Sequence, residues 1–399
     1  MKLGRGQHLG YCTNIHPGET WAQVRASLQA HVPLIRARVC PGQPFGIGLR
    51  LSAQAAQTLA EPAQLAEFRQ FLRAHDLYVF TLNGFPYGTF HGATVKEAVY
   101  RPDWRTPERL RYSNTLADLL AQLLPGEAGL QGSVSTVPGA FKADIATAAD
   151  IEAMRRNLVS HAGHLVALGR ESGRHITLAL EPEPCCFLET IAEAVDFFGQ
   201  HVFGAASVAE LAAHAGLGPA AAAAALRDHL GLCLDLCHAA VEFEDVDDCL
   251  RRLDAAGIRI LKMQISAGLC VAPVDAAAVQ ALQGYAESVY LHQVVERTPD
   301  GLRRFADLPQ ALGSLEPPRE PLEWRVHFHV PVFRKALGRL RSSRDFIEAV
   351  LARHRDRPLC EHLEVETYTW DVLPESLCPG PVDQAIAREL DWVLHQLAP

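Results

Sequence analysis

About eight times along the chain, an apolar run of strand length gives way to a segment with helical periodicity, and no long linker separates the units. That alternation confines the fold to the α/β class, either a closed (β/α)8 barrel or a large open parallel sheet. The predicted strands are Gln7–Thr13, Phe45–Leu51, Tyr78–Asn83, Gln131–Thr136, Ile176–Glu181, Leu230–Asp235, Ile258–Ser266 and Glu361–Tyr368. No GxGxxG or GxxxxGK[ST] follows the first of them, which weakens the open nucleotide-binding sheet. In a closed barrel the active site lies at the C-terminal ends of the strands. Glu181, Asp235, Gln264 and Glu366 occupy such ends on the fifth, sixth, seventh and eighth strands.

Between the strands, helices are expected over Trp21–Ala37, Pro107–Leu124, Ala148–Ser172, Pro219–His229, Arg344–Arg355 and Asp383–Leu397. One more is expected to start after Ser52 as its N-cap and to end near His75. Strand–helix units continue on both sides of two elaborations, at about 199–229 and 289–331, so a single domain spanning 1–399 is expected. Within the second elaboration, Val289–Arg297 and Gly301–Phe305 should pair as a hairpin, with Asp300-Gly301 in the turn.

Hydrophobic residues make up 48% and charged residues 21%, which excludes disorder. A net charge of −9 without a basic run argues against gripping nucleic-acid backbone, so no nucleic-acid partner is expected. None of the ten cysteines forms Cys-x-x-Cys, so reduced thiols in a cytoplasmic protein are expected. There is no apolar segment of export type near Met1 and no membrane-length run, so membrane insertion is not expected.

The candidate functional residues follow from strand ends and alternation. An Asp closing a buried strand, as in Leu234-Asp235-Leu236-Cys237-His238, costs several kcal/mol unless it finds a partner or a cation. Its bland alternative is to cap the next helix. Pro182 and Pro184 stiffen the exit that carries Glu181 and Glu183. Lys262 and Gln264 share one side of their strand, as do Glu364 and Glu366. Arg325, His327 and His329 lie on one face of an alternating segment, and His91 ends a long aromatic, glycine-rich loop. His8 and His16 are candidates only because they flank the first strand.

Carboxylates, an amide oxygen and imidazoles around one point suit Mn²⁺, Mg²⁺ or Zn²⁺. Such an ion can hold adjacent oxygens of a polyol, polarise its carbonyl and acidify the neighbouring C–H for a carboxylate base. Isomerisation or epimerisation of a sugar-like molecule follows from that arrangement. Phosphodiester hydrolysis follows equally if two or three metals are present.

Tyr11–Trp21 (YCTNIHPGETW), Leu82–His91 (LNGFPYGTFH), Leu180–Pro184 (LEPEP), Leu234–His238 (LDLCH) and Glu366–Trp370 (ETYTW) together resemble the EboE-type metabolite-traffic proteins of Ebo clusters. That resemblance covers almost the whole chain. It implies a TIM barrel of the xylose-isomerase-like kind, a superfamily that includes sugar epimerases and endonuclease IV-type nucleases. It further implies Glu181, Asp235 and Glu366 as metal ligands, with His238 matching the histidine of the Asp-x-x-His motif. Gln264 stands where the epimerases carry a metal-binding histidine. His327 and His329 resemble the Asp-x-His excursion of the nuclease branch, with His327 in place of the Asp.

The resulting expectation is a divalent-metal-dependent isomerase or epimerase of a sugar- or cyclitol-like precursor, with partners among proteins of the same biosynthetic cluster. Metal ligands are expected at Glu181, Asp235, Gln264, Glu366, His238 and His329. Glu181, Glu366 and His238 are expected to act in catalysis, and His91, Lys262 and His327 to touch the substrate. A non-catalytic metabolite-binding protein and an endonuclease IV-like phosphodiesterase are the alternatives.

Overall fold

The computed structural model describes residues 1–91, 94–127, 129–315, 322–374, 377 and 380–398. Seven strands come first: β1 (His8–Tyr11), β2 (Phe45–Arg50), β3 (Leu77–Asn83), β4 (Gly132–Thr136), β5 (Ile176–Leu180), β6 (Leu230–Asp235) and β7 (Ile260–Ile265). Six more belong to an excursion: β8 (Ala267–Val271), β9 (Val294–Thr298), β10 (Gly301–Phe305), β11 (Glu323–Val330), β12 (Ala336–Leu337) and β13 (Leu340–Ser342). The last is β14 (His362–Val365).

Eight strands form a parallel sheet in the order β1-β14-β7-β6-β5-β4-β3-β2. Its two edges meet through a parallel bridge between Cys12 and Gly48, so the sheet curls into a nearly closed barrel. Helices on the outside cover one face of the strands and the packed interior covers the other. Every residue of β2, β3 and β6 is therefore buried, as continuous apolar runs predict.

Helix starts are set by local chemistry. Thr20 and Gln23 form a reciprocal capping box before Trp21–Val39, and Ser52 accepts from the Ala55 N–H at 3.0 Å. The single helix expected up to His75 is instead two, Ala53–Leu59 and Pro62–Ala74. Pro62 has no N–H to donate and takes the first turn of a new helix, with Glu61 extended before it.

Beyond β7 the chain departs from the expectation. Only Ser266 separates β7 from β8, which leaves the barrel and enters a six-stranded antiparallel sheet of order β10-β9-β11-β8-β13-β12. The β9–β10 hairpin pairs Thr298 with Gly301, as expected. β11 lies between β8 and β9, and its ladder to β8 is broken by a register shift between Val326 and Val330. His327 and His329 fall inside that shift, where a bulged strand can turn side chains away from regular pairing. One apolar cluster runs from Leu9 and Ile47 in the barrel to Trp324 and Phe328 in the second sheet. Among the described residues no helix is long and apolar enough to cross a membrane.

The barrel interior is polar. Lys262 of β7 and Glu364 of β14 are fully buried there as an ion pair, and the Lys262 Nζ also lies 3.2 Å from Ser135 Oγ. Glu364 fills the space that Gly48 leaves open: a Cβ at position 48 would fall 1.1 Å from Glu364 Oε1 and 2.2 Å from its Cδ. Gly48→Ala is thus expected to destabilise the fold by about 3 kcal/mol or more, since the added methyl group would push the carboxylate out of its place beside Lys262. Urea unfolding checks this; a midpoint equal to the wild type's would show that Glu364 does not need that space.

Candidate metal centre

Three carboxylates gather at the C-terminal ends of the barrel strands. Glu181 follows β5 directly, Asp235 ends β6 and Glu366 follows β14 directly. One oxygen from each lies within 4.8 Å of the others, and all three residues are buried. Asp235 satisfies both sequence readings at once. Its Oδ1 caps the helix Leu236–Val241, accepting from the His238 N–H at 2.9 Å and from Ser266 Oγ at 2.7 Å. Its Oδ2 is buried without a hydrogen-bond partner, as is Glu181 Oε2. Glu366 Oε1 accepts from the side-chain amides of Asn14 at 2.6 Å and Asn83 at 3.0 Å.

Beside the carboxylates stand three histidines whose inward nitrogens are set by what lies behind them. His238 Nδ1 is 2.9 Å from the Pro182 carbonyl, and His329 Nδ1 contacts the Glu366 carbonyl. A carbonyl only accepts, so each Nδ1 carries the hydrogen and each neutral ring keeps its lone pair on Nε2. His327 Nδ1 lies 2.8 Å from Gln293 Oε1. The orientation of that amide follows from its Nε2, which donates to Glu183 Oε1 at 3.1 Å and to the Pro184 carbonyl at 3.2 Å. His327 therefore also presents an Nε2 lone pair. The Nε2 atoms of His238 and His327 face each other at 3.2 Å, and His329 Nε2 is buried without a partner. Lone pairs brought together in this way call for a cation or a proton between them.

The donor atoms form overlapping sets. Glu181–Asp235–Glu366, Asp235–His238–His329, Glu183–His238–His327 and Cys237–His327–His329 each fall within 4.8 Å. Asp235 joins the carboxylate set to the imidazole set, and His238 joins the next. Oxygen and nitrogen donors of this kind, several of them orphaned and buried, fit a divalent cation.

Electrostatics point the same way. Burial, then the charges of Glu366 and Asp235, hold the Glu181 carboxyl well above its ordinary value. Burial, then Asp235 and Glu364, do the same to Glu366. Burial, reinforced by His238 and His329, pushes His327 well down, and burial brings His329 to about 4. Without a cation the site thus favours protonated Glu181 and Glu366 and neutral His327 and His329.

The two carboxyl shifts carry a sign. An acid whose folded-state pKa is raised stabilises the fold fully below its unfolded pKa and loses that contribution as pH rises through the folded value. In chelator, wild-type stability should therefore fall from about pH 4.5 upward relative to Glu181→Gln, and added metal should remove the difference. Melting curves of the two proteins across that range check it; parallel pH profiles would mean Glu181 is not strained by its neighbours.

The remaining expected residues are placed as follows. Gln264 pairs in register with Asp235 on one side and Glu364 on the other, and both of its amide atoms are buried without a hydrogen-bond partner. Lys262 sits one layer deeper, against Glu364. His91 holds the Asn14 carbonyl at 2.5 Å through Nε2 and the Tyr290 hydroxyl at 2.7 Å through Nδ1. Neither Lys262 nor His91 lines the cleft above the acids, which is bordered by Glu181, Glu183, His238, His327, His329 and Glu366. His8 lies near the opposite end of the barrel, 2.8 Å from the Tyr78 hydroxyl, and His16 lies 3.0 Å from that of Tyr11.

Several polar residues at the site were not anticipated. Asn14 and Asn83 fix Glu366, while Tyr100 donates to Glu183 Oε1 at 2.6 Å and is joined there by Gln293. Asn83 had a signal, since it ends β3 much as Asp235 ends β6. Gln293 had none, because its role depends on β11 lying beside β9.

The chain matches no protein-family model and no curated protein. Among solved structures it is similar to a xylose isomerase-like TIM barrel protein from Mycobacterium smegmatis in complex with magnesium, with 12% identity over 100% of this chain and 98% of that one, at a TM-score of 0.51. The IolI protein with a bound zinc atom aligns at 14% identity over 98% of each chain, with a TM-score of 0.49. A D-psicose 3-epimerase determined in the presence of D-fructose aligns at 12% identity over 98% of this chain and 100% of that one, with a TM-score of 0.47. At such identities the likeness to the Mycobacterium smegmatis protein is one of fold, and it agrees with the strand order, the parallel pairing and the near-closure of the sheet. The chain has the fold of a (β/α)8 barrel, like that of the xylose isomerase-like TIM barrel protein.

Proposed function

We propose that this protein is a divalent-metal-dependent isomerase or epimerase of a sugar- or cyclitol-like precursor. The observation that carries the reading is the set of unpartnered donors at the barrel mouth: two buried carboxylate oxygens, of Glu181 and Asp235, and the buried Nε2 of His329, from residues whose ligand atoms cluster within 4.8 Å in overlapping sets. Glu181, Asp235 and Glu366 would hold the cation, with His238, His329 and Gln264 as further donors. Bound there, the ion would polarise a substrate carbonyl and acidify the adjacent C–H.

The chain's own groups supply the rest. Asn14 and Asn83 hold Glu366 so that one oxygen stays available to take or return a proton. Pro182 and Gln293 keep His238 and His327 in the tautomer that offers Nε2 to the cleft. Glu183 lines the same cleft, with one oxygen fixed by Tyr100 and Gln293. The motif resemblance to EboE-type proteins adds that the substrate is an intermediate of a small-molecule biosynthetic cluster whose other proteins are the partners.

A phosphodiesterase reading is favoured by one feature, the imidazole set lying beside the carboxylate set and offering donors for a second cation. The test separates the two. Metal-loaded protein is incubated with ketoses and inososes in deuterated water, and in parallel with an aryl phosphodiester. Metal-dependent deuterium uptake next to the carbonyl is expected; aryl phosphodiester cleavage without such exchange would replace the isomerase reading. Binding without exchange or cleavage would leave a metabolite-binding protein.

A further inference from the structure

The cleft above the acids has two unlike ends. Its floor is polar, with Glu181, Glu366 and the histidines, whereas its walls are built from Phe85, Phe90, Tyr290, Leu291 and Tyr368. The rings of Phe90, Tyr290 and Tyr368 pack on one another with centroids 5.0–5.3 Å apart, and Tyr368 continues to His329 at 4.4 Å. This is a contiguous aromatic surface leading down to the imidazoles. Phe85 adds a second ring on Tyr100, with centroids 5.9 Å apart.

The described side chains that border the cleft offer an anionic substituent no free lysine or arginine. Three glutamates, Glu181, Glu183 and Glu366, reach it. The lysine in its wall, Lys96, is committed: its Nζ donates to Asp307 Oδ2 at 2.6 Å and to the Tyr290 carbonyl at 2.7 Å. Arg50, which stands over the Phe90 ring at 5.9 Å, is turned to Glu19 and to the Gly18 and Gly88 carbonyls. Among the described residues lining the cleft, then, no lysine or arginine is left free to receive a phosphate.

We infer that the ligand is an uncharged polyol bearing an aromatic or bulky apolar substituent, its hydroxyl-bearing end on the acids and histidines and its apolar end against Phe90, Tyr290 and Tyr368. The inference rests on the metal-centre reading for the direction in which the ligand lies. Aromatic faces favour aryl and C–H-rich surfaces by packing and edge-to-face contacts, and the committed Lys96 and Arg50 offer nothing to an added negative charge.

The test uses three probes that share one sugar: glucose, its phosphate monoester and phenyl glucoside. Dissociation constants are measured by calorimetry with the full chain, once metal-loaded and once in chelator. Phenyl glucoside is expected to bind at least about tenfold tighter than glucose, and, in chelator, the phosphate monoester no tighter than glucose. Phe90→Leu and Phe90→Ala should both erase most of the phenyl advantage, read as the ratio of the glucose and phenyl glucoside constants in each protein. Overturning results are equal binding of glucose and phenyl glucoside, tightest binding of the phosphate ester in chelator, no binding of any probe, or a phenyl advantage that survives both substitutions. Metal stoichiometry is read separately: failure to take up a cation sinks the metal centre, while the contrast among probes in chelator still decides the apolar wall.

Discussion

Replacing Glu181 by Gln or Asp235 by Asn should reduce metal-dependent turnover by roughly 10²–10⁴-fold, the range typical of losing a positioned proton-transfer or charge-stabilising group. The same substitutions should raise the melting temperature in chelator. Each takes one acid out of a set of three buried carboxyl groups whose oxygens lie within 4.8 Å and cannot all ionise without a cation. Metal content per chain, by elemental analysis, should fall in step with activity. The opposed signs are the diagnostic feature: lower activity and metal content together with higher metal-free stability. Full turnover in either variant would remove that residue from the site, and a large loss of stability in chelator would show it to be a structural partner instead.

Lys262→Met should cost about 3–5 kcal/mol, because it leaves Glu364 charged, buried and without its counter-ion. Burial opposes the lysine's charge, yet Glu364 and the thiols of Cys233 and Cys12 outweigh it and hold its pKa above the ordinary value. Lys262→Met combined with Glu364→Gln should recover most of the loss, since a neutral amide in the space left by Gly48 needs no cation. The coupling comes from a double-mutant cycle in denaturant, measured in chelator so that metal binding does not enter. Additive losses would mean the two side chains do not meet in solution.

The barrel was legible because its strands are buried on both faces and so read as unbroken apolar runs, Leu230–Asp235 being the clearest. Asp235 was legible as an acid at a strand end, but the sequence left capping and ligation as rivals. The structure has one oxygen capping and the other unpartnered. Ala267–Val271 was not legible as a separate strand. It continues β7 in composition, and a turn at Ser266 without Gly or Pro leaves no local mark. Pro62 was visible and was read through, although a proline at that point restarts a helix more readily than it continues one. The tautomers of His238, His327 and His329 depend on a carbonyl at 182, an amide at 293 and a carbonyl at 366. No local pattern encodes partners that far apart.

The pairing of β1 with β14 has a consequence for how the protein comes off the ribosome. His8 to Tyr11 hydrogen-bond to His362 to Val365, so the first strand must wait for nearly the last before one of its sides is covered. A nascent chain that has emerged only as far as β7 has an open seam on β1, a hazard for pairing with a neighbouring chain. It also holds Glu181 and Asp235 but lacks His327, His329 and Glu366. On the proposed metal centre, a cation would find its full set of donors only once β11 and β14 are in place.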